Sequence, residues 1–246
     1  MPGYRFGKHP PKRDYRTLRF HDYLSATLPP PPASHDVLKT VYANLKSADP
    51  TRLFPLDGND TLGDCTIAAV AHACTAYQAL IGRKTIMPRA DVVKLYLRLT
   101  GGIDSGLSEL DVLNYWRKHP VAGDEILAFA AVNLRNHTHV KQAIALFGGV
   151  YLGFQVQEDC IADFDARKAW TPGPLTQDGH AVFAVGYDRE HLTVLTWGNT
   201  QLATWGWWDE CVDEAYAIVP PEAKNPAFAP GFSVAALTSD LQAIAS

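Results

Sequence analysis

The stretch Asp178-Gly179-His180-Ala181-Val182-Phe183-Ala184-Val185-Gly186-Tyr187 decides the reading of this chain. A turn pair, Asp-Gly, is followed by one histidine and then by an apolar run rich in valine and aromatics. That composition favours a strand, with His180 at its head. Asp188-Arg189-Glu190-His191 then separates it from Leu192–Trp197, so the two runs are expected to form a β-hairpin. A histidine at a strand head can turn its ring into a cleft, where a small change of surroundings moves its proton affinity across the neutral range.

Working upstream, Val150–Val156 has the branched and aromatic content of a second strand, and His139–Phe147 before it reads as a short helix. Ala215–Val219 is expected to be a further strand. The first half of the chain differs. After the turn cluster Asp57-Gly58-Asn59-Asp60, the residues Ile67, Val70, Ala71, Cys74, Tyr77 and Ile81 recur at helical spacing, and Gly82 supplies a stop. Val37–Lys46, Pro88–Leu99 and Glu109–Lys118 are also expected to be helical, the last capped by Ser108. Helices gathered in the first half and strands in the second predict an α+β fold with two segregated lobes. Residues 1–58, with the proline run Pro29–Pro32, read as an extended strap over the surface. Residues 59–222 form the main domain, its helical lobe near 59–120 and its β lobe near 121–222, and residues 223–246 form a tail.

Cys65 opens the long helix. A thiol there faces unpaired backbone N–H groups and the positive end of the helix dipole, both of which favour the reactive thiolate. Cys74 lies on the apolar stripe of the same helix and reads as packing. His72 stands seven residues along the helix, about 10 Å away by helical rise, too far to act as the base. His180 is left as the partner.

In this order the landmarks resemble the papain family of cysteine peptidases. Asn59-Asp-Thr-Leu-Gly-Asp-Cys65 is similar to that family's Q-x-x-x-G-S-C-W stretch. Residues 140–156 resemble its helix, glycine and V-x-V-A-I strand. Residues 178–187 resemble its x-H-A-V-x-x-V-G-Y strand. Thr196-Trp197-Gly198, Trp205-Gly206 and Ala215-Tyr216-Ala217-Ile218 resemble its later W-G pair and final strand. The resemblance spans roughly residues 55–220. It implies a papain-like two-lobed fold, Cys65 as nucleophile, His180 as acid and base, and Asn59 as the side-chain donor of the oxyanion hole, where the family has glutamine. Aligning Trp197-Gly198 on the family's W-G puts Leu195 at the position of the orienting asparagine. Hairpin counting instead places Asn199 opposite His180. Leu62 and Thr66 depart from the cysteine and the aromatic that flank the family's nucleophile. The closest likeness is to unprocessed bacterial and phage-type members.

Composition narrows the partners. A formal net charge of -4 gives no basic field for a phosphate backbone, so no nucleic-acid partner is expected. No apolar run approaches the ~20 residues that span a bilayer, so no membrane is expected either. Four scattered cysteines and no signal peptide point to a reduced, intracellular or virion-associated protein. His137 and His139 alternate but find no third ligand, so no metal and no cofactor are expected. Trp205, Trp207 and Trp208 are expected to pack between the lobes and shield His180. The resemblance implies a polypeptide substrate or protein partner, and hydrolysis of a peptide or isopeptide bond as the expected reaction. Two other functions use the same residues: acyl transfer on the Cys–His pair, or a non-catalytic papain-like module of a larger assembly such as a virion.

Overall fold

The computed structural model describes residues 3–225 and 227–245. A short strand β1 (His35–Asp36) leads into α1 (Val37–Leu45), whose first turn is capped by the Asp36 carboxylate accepting from the Leu38 N–H. The single turn α2 (Pro50–Leu53) precedes the central helix α3 (Cys65–Leu80), then α4 (Arg89–Leu99) and α5 (Glu109–Trp116). Strand β2 (Ala128–Ala131) and helix α6 (His137–Phe147) follow. The remainder is β3 (Val150–Gln157), α7 (Cys160–Asp165), β4 (Leu175–Tyr187), β5 (His191–Thr196), β6 (Asn199–Thr204), α8 (Trp205–Cys211), β7 (Val212–Val219) and α9 (Val234–Ala245).

Among the described residues the strands join in one sheet, in the order β2-β7-β3-β4-β5-β6, with β1 added to the end of β4. All of its pairings are antiparallel. Helix α3 packs on β4 and α1. It is buried on every side, and its many alanines let neighbouring backbones come close, so it has no polar face to give to water. This α+β arrangement matches the expected fold class, and the helices and strands named from the sequence form with small boundary changes. Helix α6 begins two residues early because the Asn136 side chain accepts from the N–H groups of Thr138 and His139. Strand β4 begins at Leu175, so His180 lies inside a strand rather than at its head.

Two expectations about the chain ends need correction. Residues 1–58 are not simply a surface strap: Phe20, Val41 and Phe54 are fully buried core. Residues 223–246 are not a free tail, because Leu237 of α9 is buried and Phe232 stacks on Phe20.

Candidate active site

Cys65 is the first residue of α3, where backbone N–H groups have no partner within the helix. Its sulfur lies against β4. The N–H of Ala181, next to His180, and the N–H of Gly7 both reach it and favour its thiolate. Burial works against them and wins: the thiol is fully enclosed and pushed up to about 12. The acidic thiol expected from the helix start is therefore not the state of the closed molecule. The cover that encloses it outweighs the helix end.

His180 is also enclosed. It pairs with Phe154 across β3 and β4, and its ring stacks on Trp197 with centroids 4.7 Å apart. The edges of Phe6 and Phe154 close two further sides, each at 5.6 Å. Burial, with the nearby His72 charge adding to it, lowers this imidazole to about 3, so it is neutral. Its Nε2 lies 2.9 Å from the Thr196 hydroxyl, and its Nδ1 has no hydrogen-bond partner.

The side chain that hydrogen-bonds the His180 ring is therefore Thr196 and not Asn199. The turn after Tyr187 does pair Tyr187 with Leu192, as counted, but Val185 is an extra residue in β4 and shifts the ladder to Phe183↔Leu195. Asn199 begins the next strand, pairs with Thr196, and accepts from the Thr200 N–H. Between Thr196 and Asn199 stand only Trp197 and Gly198, both at positive φ (46° and 75°), the conformation of a tight two-residue hairpin. Tryptophan rarely adopts such a φ, and the ring it projects is the one that stacks on His180. The shielding expected of three later tryptophans thus belongs to Trp197. Trp207 packs on Phe154 and Trp170, Trp208 donates to the Leu134 carbonyl, and Trp205 sits against His137.

Asn59 is buried beside the head of α3, but its amide is engaged: Nδ2 donates to the Asp64 carboxyl. The same carboxyl accepts from the Gly58 N–H at 3.0 Å. Burial raises Asp64 to about 7, and the nearby charge of Asp57 adds to the shift.

The cover is the chain's own beginning. Residues 4–9 run in extended form from Asn59, ahead of α3, to Gly179 of β4, with Lys8 buried and Arg5 and His9 exposed. The Arg5 N–H donates to the Asn59 carbonyl (2.7 Å) and the Lys8 N–H to the Gly179 carbonyl (3.0 Å). Leu107 brackets the segment, donating to the Gly7 carbonyl (2.8 Å) and accepting from the His9 N–H (2.9 Å), which is a parallel bridge. Tyr4 stacks on Trp197. The crossing is tight enough to require glycine: a Cβ on Gly7 would stand 1.9 Å from the Gly63 carbonyl oxygen, and one on Gly106 would stand 2.3 Å from the Gly7 oxygen. A lone glycine between Phe6 and Lys8 was the one sequence signal of this close approach, and it carries no weight without the tertiary contact.

Among the described residues no group of histidine, cysteine, aspartate and glutamate side chains is gathered to hold a metal ion, and no helix is long and apolar enough to cross a membrane. His137 instead pairs with Asp209, and His139 stacks on His21. All four cysteines are free and buried.

No family model and no curated protein matches this sequence. Solved structures do. Xylellain, a cysteine protease from Xylella fastidiosa, superposes with a TM-score of 0.63 at 18% identity, over 88% of this chain and 96% of that one. Procathepsin L2 proteinase from the Tenebrio molitor larval midgut gives 0.62 at 14% identity, over 88% and 78%. Procathepsin B from Trypanosoma congolense gives 0.59 at 13% identity, over 88% and 86%. The chain has the fold of the papain-like cysteine proteases.

Proposed function

We propose that the chain is a thiol-dependent peptidase of papain-like fold, held inactive in this conformation by residues 4–9. The observation that carries this reading is that Cys65, at the α3 head, lies against the Ala181 N–H, one residue from His180 on β4, beneath a length of extended peptide. A site that grips its own backbone in this way is shaped to grip another polypeptide.

The chemistry follows from the groups present. With the cover lifted, water reaches Cys65 and His180 and the burial that opposes charge is relieved, so the thiol proton passes to the imidazole. Nδ1 is the nitrogen free to take it, since Nε2 is held by Thr196. The sulfur attacks the carbonyl carbon of a peptide bond. The oxyanion that forms is met by the Cys65 N–H and by the second N–H of the Asn59 amide, the first being fixed by Asp64. His180 then returns the proton to the leaving amine, and water releases the acyl group from sulfur by the reverse steps. Trp197 keeps the ring from turning.

The bound segment is itself spared by its direction. Gly7 turns its N–H on the sulfur, while its carbonyl oxygen is held by Leu107, so no carbonyl carbon is offered for attack. A peptidyl epoxide directed at thiols is the test. It is expected to label Cys65 stoichiometrically in a chain carrying Gly7→Val and far more slowly in the wild type. Failure to label Cys65 in a folded Gly7→Val chain overturns the proposal.

A further inference from the structure

Beside the turn that carries Asn59 lie two buried ionisable side chains that take no part in the chemistry above, His72 and Asp57. His72 stands two turns along α3 from Cys65 and is 2% exposed. Its Nε2 lies 2.9 Å from the Pro55 carbonyl oxygen and 3.4 Å from Asp57 Oδ2, and its Nδ1 has no hydrogen-bond partner. Asp57 is as deeply buried, and neither of its carboxyl oxygens takes a hydrogen bond. Its backbone is left-handed, at φ 56°, a conformation that an L residue keeps where its surroundings impose it. The rings of Phe54 and His72 meet edge to face, with centroids 5.7 Å apart.

These contacts fix the turn at one end, and Asp64 fixes it at the other. Asp64 is the N-cap of α3, where a carboxylate ordinarily accepts from the first turn of its own helix. Here it makes no such bond and is turned back on the loop, accepting from the Gly58 N–H and the Asn59 amide. Between the two clamps the Asn59 N–H donates to the Leu56 carbonyl at 3.1 Å. Residues 55–59 are thus gripped at Pro55 and Asp57 from within α3, and at Gly58 and Asn59 from its cap. Cys65 rides on the same helix, so the nucleophile and the loop that brings Asn59 to it are held to one rigid element. A pair of apolar side chains would fill the volume of His72 and Asp57 without the cost of taking charge out of water. It could not grip the Pro55 carbonyl, so packing alone does not account for the pair.

We propose that His72, with Asp57, is a positioning residue of the catalytic site: by clamping residues 55–59 to α3 it holds the Asn59 amide where the oxyanion forms. The inference rests on the peptidase reading above and extends it to two residues that touch neither substrate nor the reacting atoms. His72 is too far along the helix to be the base, and it acts through the loop instead. A misplacement of about 1 Å at an oxyanion donor can cost ~10²-fold in rate. Two clamps on so short a turn leave the amide little room to stray.

Two measurements on full-length chains separate this inference from the function beneath it. The first is amide hydrogen exchange by NMR, which needs no activity. His72→Leu should make the Gly58 and Asn59 N–H groups exchange about tenfold faster than in the wild type, while the buried Ala73 and Ala76 of α3 keep their protection. Where His72→Leu does not fold, Asp57→Asn, which removes the charge and keeps the shape, should show the same local acceleration. The second is turnover of fluorescein-labelled casein by the opened Gly7→Val chain. There His72→Leu should lower kcat by about 10²-fold with KM within about twofold, as Asn59→Ala should, and the double variant should be no slower than either alone. His72→Gln, whose amide offers one N–H to Pro55 and one to Asp57, should restore kcat without the charge that His72 places near His180. Losses that multiply in the double variant, or exchange at Gly58 and Asn59 that does not change, overturn the inference. Accelerated exchange with no cleavage of casein by the folded Gly7→Val parent overturns the peptidase reading and leaves the clamp standing.

Discussion

Cys65 and Cys74 lie on the same helix, both wholly enclosed, and both thiols are pushed up, by burial first in each case. What differs is the source of the enclosure. Cys74 is closed in by permanent core and points its sulfur at the Val121 carbonyl, 3.6 Å away. Cys65 is closed in by β4 and by residues 4–9, a segment held by a few backbone hydrogen bonds and one lysine. Burial can therefore be a conformational variable at one end of a helix and a constant at its middle. The same physical term raises both thiols, and the identity of the covering residues separates them.

The largest expected effect tests that separation directly. Gly7→Val drives a side chain into the Gly63 carbonyl, so residues 4–9 must lift, and alkylation of Cys65 by iodoacetamide near neutral pH should rise by about 10²-fold or more as its thiolate becomes accessible. Cys74 should not change. Equal acceleration at both sites, read by mass spectrometry, would mean general loosening and would erase the distinction.

In the same opened chain His180→Ala should slow Cys65 alkylation at pH 6 by about tenfold and move its pH midpoint toward the ~8.5 of a free thiol. A midpoint that stays put would mean the histidine does not share the proton. Thr196 acts through that ring as a positioning residue. Thr196→Val should lower kcat several-fold and shift the pH profile of kcat/KM, with Thr196→Ser restoring both. Asn199→Ala should leave the profile where it was. If the two threonine variants behave alike, the hydroxyl has no role.

Two buried groups near the nucleophile set opposite pH trends for stability. His180, lowered to about 3, contributes stability that is present above its ordinary pKa of ~6.5 and is lost as pH falls toward 3. Asp64, raised to about 7, contributes in the other sense: its share is complete below ~3.9 and is lost as pH rises through 7. Asp64→Asn should therefore gain on the wild type by about 4 kcal/mol between pH 4 and pH 8, measured by urea unfolding at each pH. A difference independent of pH would show that Asp64 is ionised throughout. The smallest effect belongs to the constant member of the pair: Cys74→Ala should cost about 1–2 kcal/mol of stability and leave Cys65 reactivity untouched.

Much of this was legible in the residues. Helix α3 and strand β4 carry strong local signals, and their spacing relative to the other landmarks brought Cys65 and His180 together on resemblance alone. Strand β6 and helix α8 were not foreseen, because Asn199–Thr204 is polar and the tryptophans that follow fit packing in any element. The hairpin count missed Thr196 because β5 ends there and the chain turns at Trp197-Gly198, so Asn199 belongs to β6; the bulge at Val185 shifts the count by one residue more. Glu109 looked like an ordinary acidic residue in the first turn of a helix, where the dipole alone would account for it.

What the sequence by itself determined, then, are the groups whose placement depends on their near neighbours: a cysteine at a helix start and a histidine in an apolar strand. Local propensity and periodicity act over a few residues and survive in any context that lets the element form. Tertiary structure alone decided which hydroxyl holds the imidazole, that the thiol is covered, and that Lys8 meets Asp213, 205 positions away in the chain. Those facts rest on burial, register and the sum of charges around a point. Each is a property of residues brought together only when the sheet has closed, and no window of sequence contains them.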